Sequence, residues 1–450
     1  MRLRSQSGRS VPLKNKGGII MAISAIMHPA LFLAIVLAIG LVLFATGKIP
    51  IPATAAFICL SLYLAGIIDS KTILKNFGSA NCMIIAGLGI VGDAMFRTGA
   101  AAQIGILLKK VAKTERALVF WLVMFSGIIS GFLSNNGCAA LMISLTLGIA
   151  ISTGYRRCKL MYPIAVGVCF GGGITTVGSN STLYLKEILE KLPNAQTMSF
   201  FELAPICLIL TFVSAVFLST IGFNLMPEAP RNTLDPSYGA EKDYSTVPQW
   251  KRTCAFVIFI GTILAMCFED LIHIPVGMTA MIAAFACVAC GLMTEKEAAH
   301  AVPLSAIVMF ACMVPVSTAM KATGATQIIV DFMKSTLGSN ASPLIVILVI
   351  YAIAIPLTNV MSNSATIIMF TPVVLAVCSA IGMNPKSALM TLRMAGTIAL
   401  ATPLGLPATT MAVEPGGYNF MDYVRPGVPL SIITIAITVV YMYVTYPVYM

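Results

Sequence analysis

Four short runs of Ser, Thr, Asn, Gly and Pro interrupt otherwise apolar sequence: Ser134–Gly137, Gly171–Thr182, Ser362–Ser364 and Pro403–Thr410. They carry essentially no formal charge. Backbone that leaves a helix exposes carbonyl oxygens, which suit a hard, weakly charged cation such as sodium. The helix that starts after such a break presents free N–H groups and the positive end of its dipole, which suit an anion. One constellation of this kind can hold a cation and an anion together. The same residue types also glue or kink membrane helices. What separates the two readings is that the breaks come in pairs at matching positions.

The pairing follows from an internal repeat. Ile51-Pro52 is echoed by Ile274-Pro275, and Gly66 by Gly291. Ala94–Ala100, with Gln103-Ile104 after it, recurs as Ala319–Ala325 with Gln327-Ile328. Ser134-Asn135 matches Ser362-Asn363, and Val177-Gly178 matches Leu404-Gly405. The offsets stay at 223–228 residues in chain order, which predicts a tandem duplication. The expected units are an N-terminal tail (1–27), a first repeat (28–226), a polar linker (227–251) and a second repeat (252–450).

The elements that must position these breaks are membrane helices. Hydrophobic residues make up 58% of the chain and charged residues 10%, against about 25% charged in soluble proteins. Apolar runs of membrane-crossing length recur: Pro29–Thr46, Pro52–Ile68, Asn81–Met95, Tyr162–Val177, Phe201–Phe223, Phe256–Phe268, Pro275–Met293, Pro303–Met320 and Val428–Tyr446. Leu118–Ile151 is interrupted by Ser134–Gly137 and reads as a re-entrant hairpin that adds no crossing. Five crossings per half would turn the second half upside down relative to the first. The expected fold is all-α integral membrane: an inverted-repeat transporter with about ten or eleven transmembrane helices, two re-entrant hairpins and two discontinuous helices. An inverted repeat would bring all four breaks together near the midplane, where irregular backbone is tolerated only around a buried or watery cavity.

The net charge of +11 belongs to loops that orient the chain, not to nucleic acid, since no stretch interleaves basic and aromatic residues. Lys109–Arg116, Arg156–Lys159, the linker and Glu295–His300 are expected on the cytoplasmic side of a cell (plasma or inner) membrane. The basic tail then falls outside, and Met21 offers an alternative start that would remove it. The twelve cysteines stand singly in apolar segments, except Cys287 and Cys290, which lack a second pair for a metal site. His28, His273 and His300 are far apart, and no Walker A, HExxH or GxSxG is present. An enzyme, a redox protein or a resident metal or cofactor is therefore not expected. Asp93 and Arg97 read as a local i,i+4 ion pair, and Glu414 and Asp422 as loop residues.

The motifs resemble the divalent-anion/sodium symporters, whose members carry two Ser-Asn-Thr motifs at opposed hairpin tips. The first is represented by Ser130-Gly131-Phe132-Leu133-Ser134-Asn135-Asn136, the second by Thr358–Thr366. Gly171–Thr182 and Leu404–Thr409 are similar to the Gly-rich runs that follow them. Ile49–Thr54 and Gly417–Gly427 resemble the family's early and C-terminal signatures. The resemblance covers nearly the whole chain from Pro29. It implies one sodium site from Ser130, Ser134, Asn135 and the Gly178 backbone. A second would use Thr358, Asn363 and the backbone at Met361 and Gly405. The anion would meet Asn135, Asn136, Ser179, Asn363, Ser364 and Pro407. A homodimer with a scaffold part and a moving transport part is also implied.

Three departures bear on which anion fits. Asn136 and Ser364 stand where the family has Thr, Pro-Pro-Asn is missing from both later motifs, and Leu406 replaces a polar Thr. The expectation is sodium-coupled symport of a small dianion, such as succinate, malate, fumarate or citrate, by elevator-type alternation. A sodium-independent dicarboxylate or citrate antiporter and a sulfate or oxyanion transporter are the alternatives. Neutral donors plus bound cations would neutralise a dianion with no buried Arg, so the site would hold the anion well only with its cations.

Overall fold

The computed structural model describes residues 28–46, 49–100, 112–192, 197–231, 247–325, 327–328, 331, 343–360, 362–403 and 405–446. The N-terminal tail, Gln103-Ile104, most of the linker, Met361 and Leu404 lie outside the described residues. Among those described, the regular elements are twenty helices. The first half holds α1 (Pro29–Thr46), α2 (Ile51–Leu64), α3 (Ser70–Phe77), α4 (Ala80–Arg97), α5 (Glu115–Ser130), α6 (Asn135–Thr153), α7 (Arg157–Gly171), α8 (Asn180–Glu190), α9 (Ala204–Ser219) and α10 (Ile221–Leu225). The second holds α11 (Gln249–Cys267), α12 (Glu269–Ile272), α13 (Val276–Ala289), α14 (Glu295–Ala301), α15 (Leu304–Ala322), α16 (Pro343–Val360), α17 (Asn363–Ile381), α18 (Pro385–Thr397), α19 (Pro407–Gly416) and α20 (Phe420–Thr445).

Local signals repeat with the sequence offset. Asp69 caps α3 and Thr294 caps α14 through their side chains. Ser134 Oγ accepts from Gly137 N at the start of α6, and Ser362 Oγ accepts from Ala365 N at the start of α17. Both caps satisfy a helix donor that would otherwise be orphaned. The two helices then end alike, at Gly154 and Gly382, both in the left-handed region that lets a glycine close a helix. Each of these pairs keeps an offset of 225 or 228 residues.

Among the described residues, three helical stretches are long and apolar enough to cross a membrane: Ser70–Arg97, Gln249–Cys267 and Phe420–Thr445. A fourth, α14 with α15, is bent by 46°. Shorter apolar helices, Asn135–Ile151, Leu344–Asn359 and Asn363–Ser379, flank the breaks at Ser134–Gly137 and Ser362–Ser364. Two expectations change. Glu414 lies in α19 and Asp422 in the first turn of α20, not in a loop. Gly417, left-handed, ends one helix, and Asn419 starts the next by a reciprocal cap with Asp422. That turn is too short to be a loop, so α20 begins eight residues before Val428.

The helices pack as two groups. One comprises α1–α4 and α11–α15. The other comprises α5–α10 and α16–α20. Within the second group the halves interlock: α8 packs on α17 and α18, while α19 packs on α6 and α7. Only α4, α6, α8, α15 and α17 carry the main contacts between groups.

Candidate functional site

A cavity of about 390 Å³ lies between the two groups. The first group gives it a mostly apolar wall, including Pro52, Ile84, Leu88 and Met309 with Ser305 among them; most of its polar lining comes from the second. The starts of α6, α8, α17 and α19 all line it: Asn135, Asn180, Asn363 and Pro407. Four helix N-termini therefore converge on one volume, each contributing N–H groups or a positive dipole end. Of the residues expected to meet an anion, Asn135, Asn136, Ser179, Asn363, Ser364 and Pro407 all line this cavity. Ser179 Oγ lies 2.8 Å from Ser181 Oγ.

The residues expected around cations sit beneath the same tips. Ser130 is fully buried, and its Oγ lies 2.8 Å from Asn135 Oδ1 and 3.1 Å from Val168 O. A methyl group added at Gly178 would come within 2.8 Å of the Ser130 and Gly131 carbonyl oxygens and 3.0 Å of Gly172 O. One added at Gly172 would meet Asn135 Oδ1 at 2.4 Å. Oxygens thus crowd a spot that only glycines leave open. Thr175 donates to Gly131 O and accepts from Gly178 N at 3.1 Å, which holds the break in place.

The second copy repeats this with the same offset. Thr358 Oγ1 donates to Gly396 O at 2.8 Å, matching Ser130 and Val168. Asn363 N donates to Gly405 O at 2.9 Å, and a methyl group at Gly405 would fall 2.4 Å from Thr358 O. Asn363 Oδ1 is buried with no hydrogen-bond donor. A buried acceptor without a donor is costly, and a neutral amide oxygen beside backbone carbonyls is the donor set of a monovalent cation. Ser134 lines the cavity beside Asn135, and its Oγ accepts from Gly137 N at 3.3 Å.

With this geometry in view, the comparisons with known proteins are specific. Residues 41–371 match the model of the CitMHS family, described as citrate transporter. The chain belongs to the citrate transporter family. The family and the chain's relatives are transporters, not enzymes, in keeping with the resemblance to divalent-anion/sodium symporters. Over 192 residues it is 30% identical to the uncharacterized transporter YfbS of Escherichia coli (strain K12), covering 42% of this chain and 31% of that protein's length. It is 20% identical over 440 residues to the sodium-dependent dicarboxylate transporter SdcS of Staphylococcus saprophyticus, covering 89% of this chain and 83% of that one. The fold is similar to that of MtrF from Neisseria gonorrhoeae, described among antimetabolite efflux pumps. There the TM-score is 0.60 at 12% identity, over 95% of this chain and 99% of that one.

In this citrate transporter family member no charged side chain lines the cavity among the described residues. One charge stands just behind it. Arg393, on α18, is 1% exposed; its Nε donates to Thr182 Oγ1 at 2.7 Å and its Nη1 to Thr397 Oγ1. The expectation that neutral donors neutralise the anion concerned the lining itself, and Arg393 lies outside that lining. α18 also carries Lys386, Ser387 and Thr391, so the sequence alone does not single out Arg393; its burial and its partner Thr182 do. Asn180 and Thr175, within the Gly171–Thr182 run, and Ser305, outside every motif, are further polar residues at or beside the cavity.

The ion pair expected from Asp93 and Arg97 is present and extended. Arg97 bonds Asp93 and reaches Glu297 at 2.8 Å, joining α4 to α14 within the first group. It lies away from the cavity lining and is substantially exposed.

Proposed function

We propose that the protein carries a small dianion, a C4-dicarboxylate or citrate, together with sodium across the cell membrane. Four convergent helix N-termini in one uncharged cavity carry this reading. They offer an anion many weak donors and no permanent counter-charge in contact with it. The crowded carbonyls around Gly178 and the orphaned Asn363 Oδ1 suit two sodium ions as co-substrates. Ser130, Ser134, Asn135 and Gly178 would serve the first; Thr358, Asn363 and Gly405 the second. Bound sodium adds positive charge next to the anion, so each raises the affinity of the other. That reciprocal coupling is what symport requires.

The two helix groups suggest how access alternates. The second group carries all four breaks, and the first supplies a mostly apolar wall that slides past them. Moving one group against the other would open the cavity first to one side and then to the other. The halves would be inverted repeats within a homodimer, the first group acting as scaffold. The named sodium dependence of SdcS supports the choice of coupling ion.

The test is thermal stability of the purified protein against succinate, malate, citrate and sulfate, in sodium or in choline. A ligand that binds the folded form raises stability by mass action. A shift with a dicarboxylate or citrate that needs sodium is expected. Equal shifts in choline would favour an exchanger, and a response to sulfate alone would favour an oxyanion carrier.

A further inference from the structure

Arg393 is a charge whose compensation the fold leaves incomplete. Among the described residues no carboxylate lies within 4.0 Å of it. The other cation of α18, Lys386, has Glu202 at 2.9 Å. On α8, Glu187 is bonded to Asn81 and Lys191 and Glu190 lies near Lys186. Arg393 has only two threonine hydroxyls and lies against Gly173, where an added methyl group would come 3.3 Å from Nη2. A buried guanidinium needs a counter-charge as well as hydrogen bonds.

Its position is one-sided. Thr182, its acceptor, is in the first turn of α8, three residues from Ser179 at the cavity. The repeat offset puts Ala165 where Arg393 has its counterpart and Thr409 where Thr182 has its own. Thr409 Oγ1 turns back on its own turn, donating to Leu406 O at 2.7 Å. Ser179 and Ser181, paired at the α8 end, are replaced at the α19 end by Leu406 and Ala408. One end of the cavity thus has a full positive charge and the paired Ser179 and Ser181 hydroxyls; the other has no charge behind it, and its Thr409 and Thr410 hydroxyls are turned back onto Pro403 O and Leu406 O.

Resting on the transport reading above, we infer that Arg393 is a positioning residue that polarises the site. The transported anion is its missing counter-charge and binds with its most highly charged group against Ser179 and Asn180. Arg393 acts through the α8 N-terminus and the short, low-dielectric gap, without touching the anion. Sodium and Arg393 then divide the work. The cations make binding conditional, while Arg393 makes it selective for a second negative charge and sets the orientation.

Matched anions of equal size separate this from a structural role: succinate against its half-amide succinamate, and sulfate against methanesulfonate. Uptake of each into proteoliposomes, with sodium present, is compared for wild type, Arg393→Gln and Arg393→Lys. Arg393→Gln should raise KM for the dianion about tenfold or more while moving the monoanion much less. Maximal rates should change little, and Arg393→Lys should restore most of the preference. An Arg393→Gln protein that folds and keeps the wild-type dianion-to-monoanion ratio overturns the inference. Should that variant fail to fold, Thr182→Val must shift the ratio in the same direction, and no shift overturns the inference equally. Wild type that takes up none of the four anions sinks the transport reading itself, a result distinct from equal preference in wild type and variant.

Discussion

Asn363 and Asn135 occupy the same place in the two halves, yet their side-chain oxygens differ. Asn135 Oδ1 accepts from Ser130, whereas Asn363 Oδ1 accepts from nothing. If that oxygen awaits a cation, Asn363→Ala should raise the sodium concentration for half-maximal uptake about tenfold or more. Sodium-dependent thermal stabilisation should fall in parallel. Gly405→Ala should act at the same site by filling it, since its methyl group would sit 2.4 Å from Thr358 O. A loss of about 1–3 kcal/mol of stability is expected there, read by thermal melts. Most of these residues were legible in the sequence, because a repeat turns an isolated Ser-Asn into a pair and a pair into a site. Arg393 was not. Its meaning lies in Thr182 on another helix, 211 residues away, and in an absent carboxylate that no spacing reveals. Asp422 was misread for a different reason. Its Asn419 cap is a local signal, but a charged residue in an apolar chain invites a loop unless the cap is noticed.

At the scale of elements, the contacts between the two helix groups are few, and one is polar and buried. Asn81 on α4 donates to Glu187 on α8 at 2.9 Å, and Lys191 adds a contact to Asn76 at 3.4 Å. A hydrogen bond to a charged group is worth about 1.5–3 kcal/mol, and this one must break if the groups slide. Asn81→Ala should therefore lower thermal stability by an amount of that order while leaving KM within about twofold. A wild-type melting curve for Asn81→Ala would show that the contact does not hold the groups. The exposed Arg97–Glu297 bridge offers the contrast, since exposed pairs contribute about 0–1 kcal/mol; Glu297→Ala should barely move the melt. A third contact ties the segment before the linker to α7. Lys159, fully buried, donates to Phe223 O, Met226 O and Glu228. The hydrogen bond from Lys159, and then its charge, hold the Glu228 carboxyl below its ordinary 4.5. A carboxylate lowered in the folded state contributes stability above its unfolded value and loses it as pH falls through the folded one. Melts taken from about pH 5 downward should thus show a smaller acid loss in Glu228→Gln than in wild type.

For the whole molecule, helix order and the positions of the breaks could be read from the apolar runs, since a polar interruption at membrane depth has few structural meanings. The partition into two groups could not. It depends on α8 and α19 each crossing to the other half's hairpin, a tertiary choice with no local signature. That crossing gathers four helix starts around one cavity, and the partition gives the cavity one polar and one mostly apolar wall. Transport coupled to sodium is the consequence the account draws from both. Uptake of radiolabelled succinate and citrate into proteoliposomes, under an inward sodium gradient and under an equal choline gradient, tests it most directly. The account predicts accumulation of at least one of them with sodium and none above background with choline. Equal accumulation under the two gradients, or none under either, would contradict it.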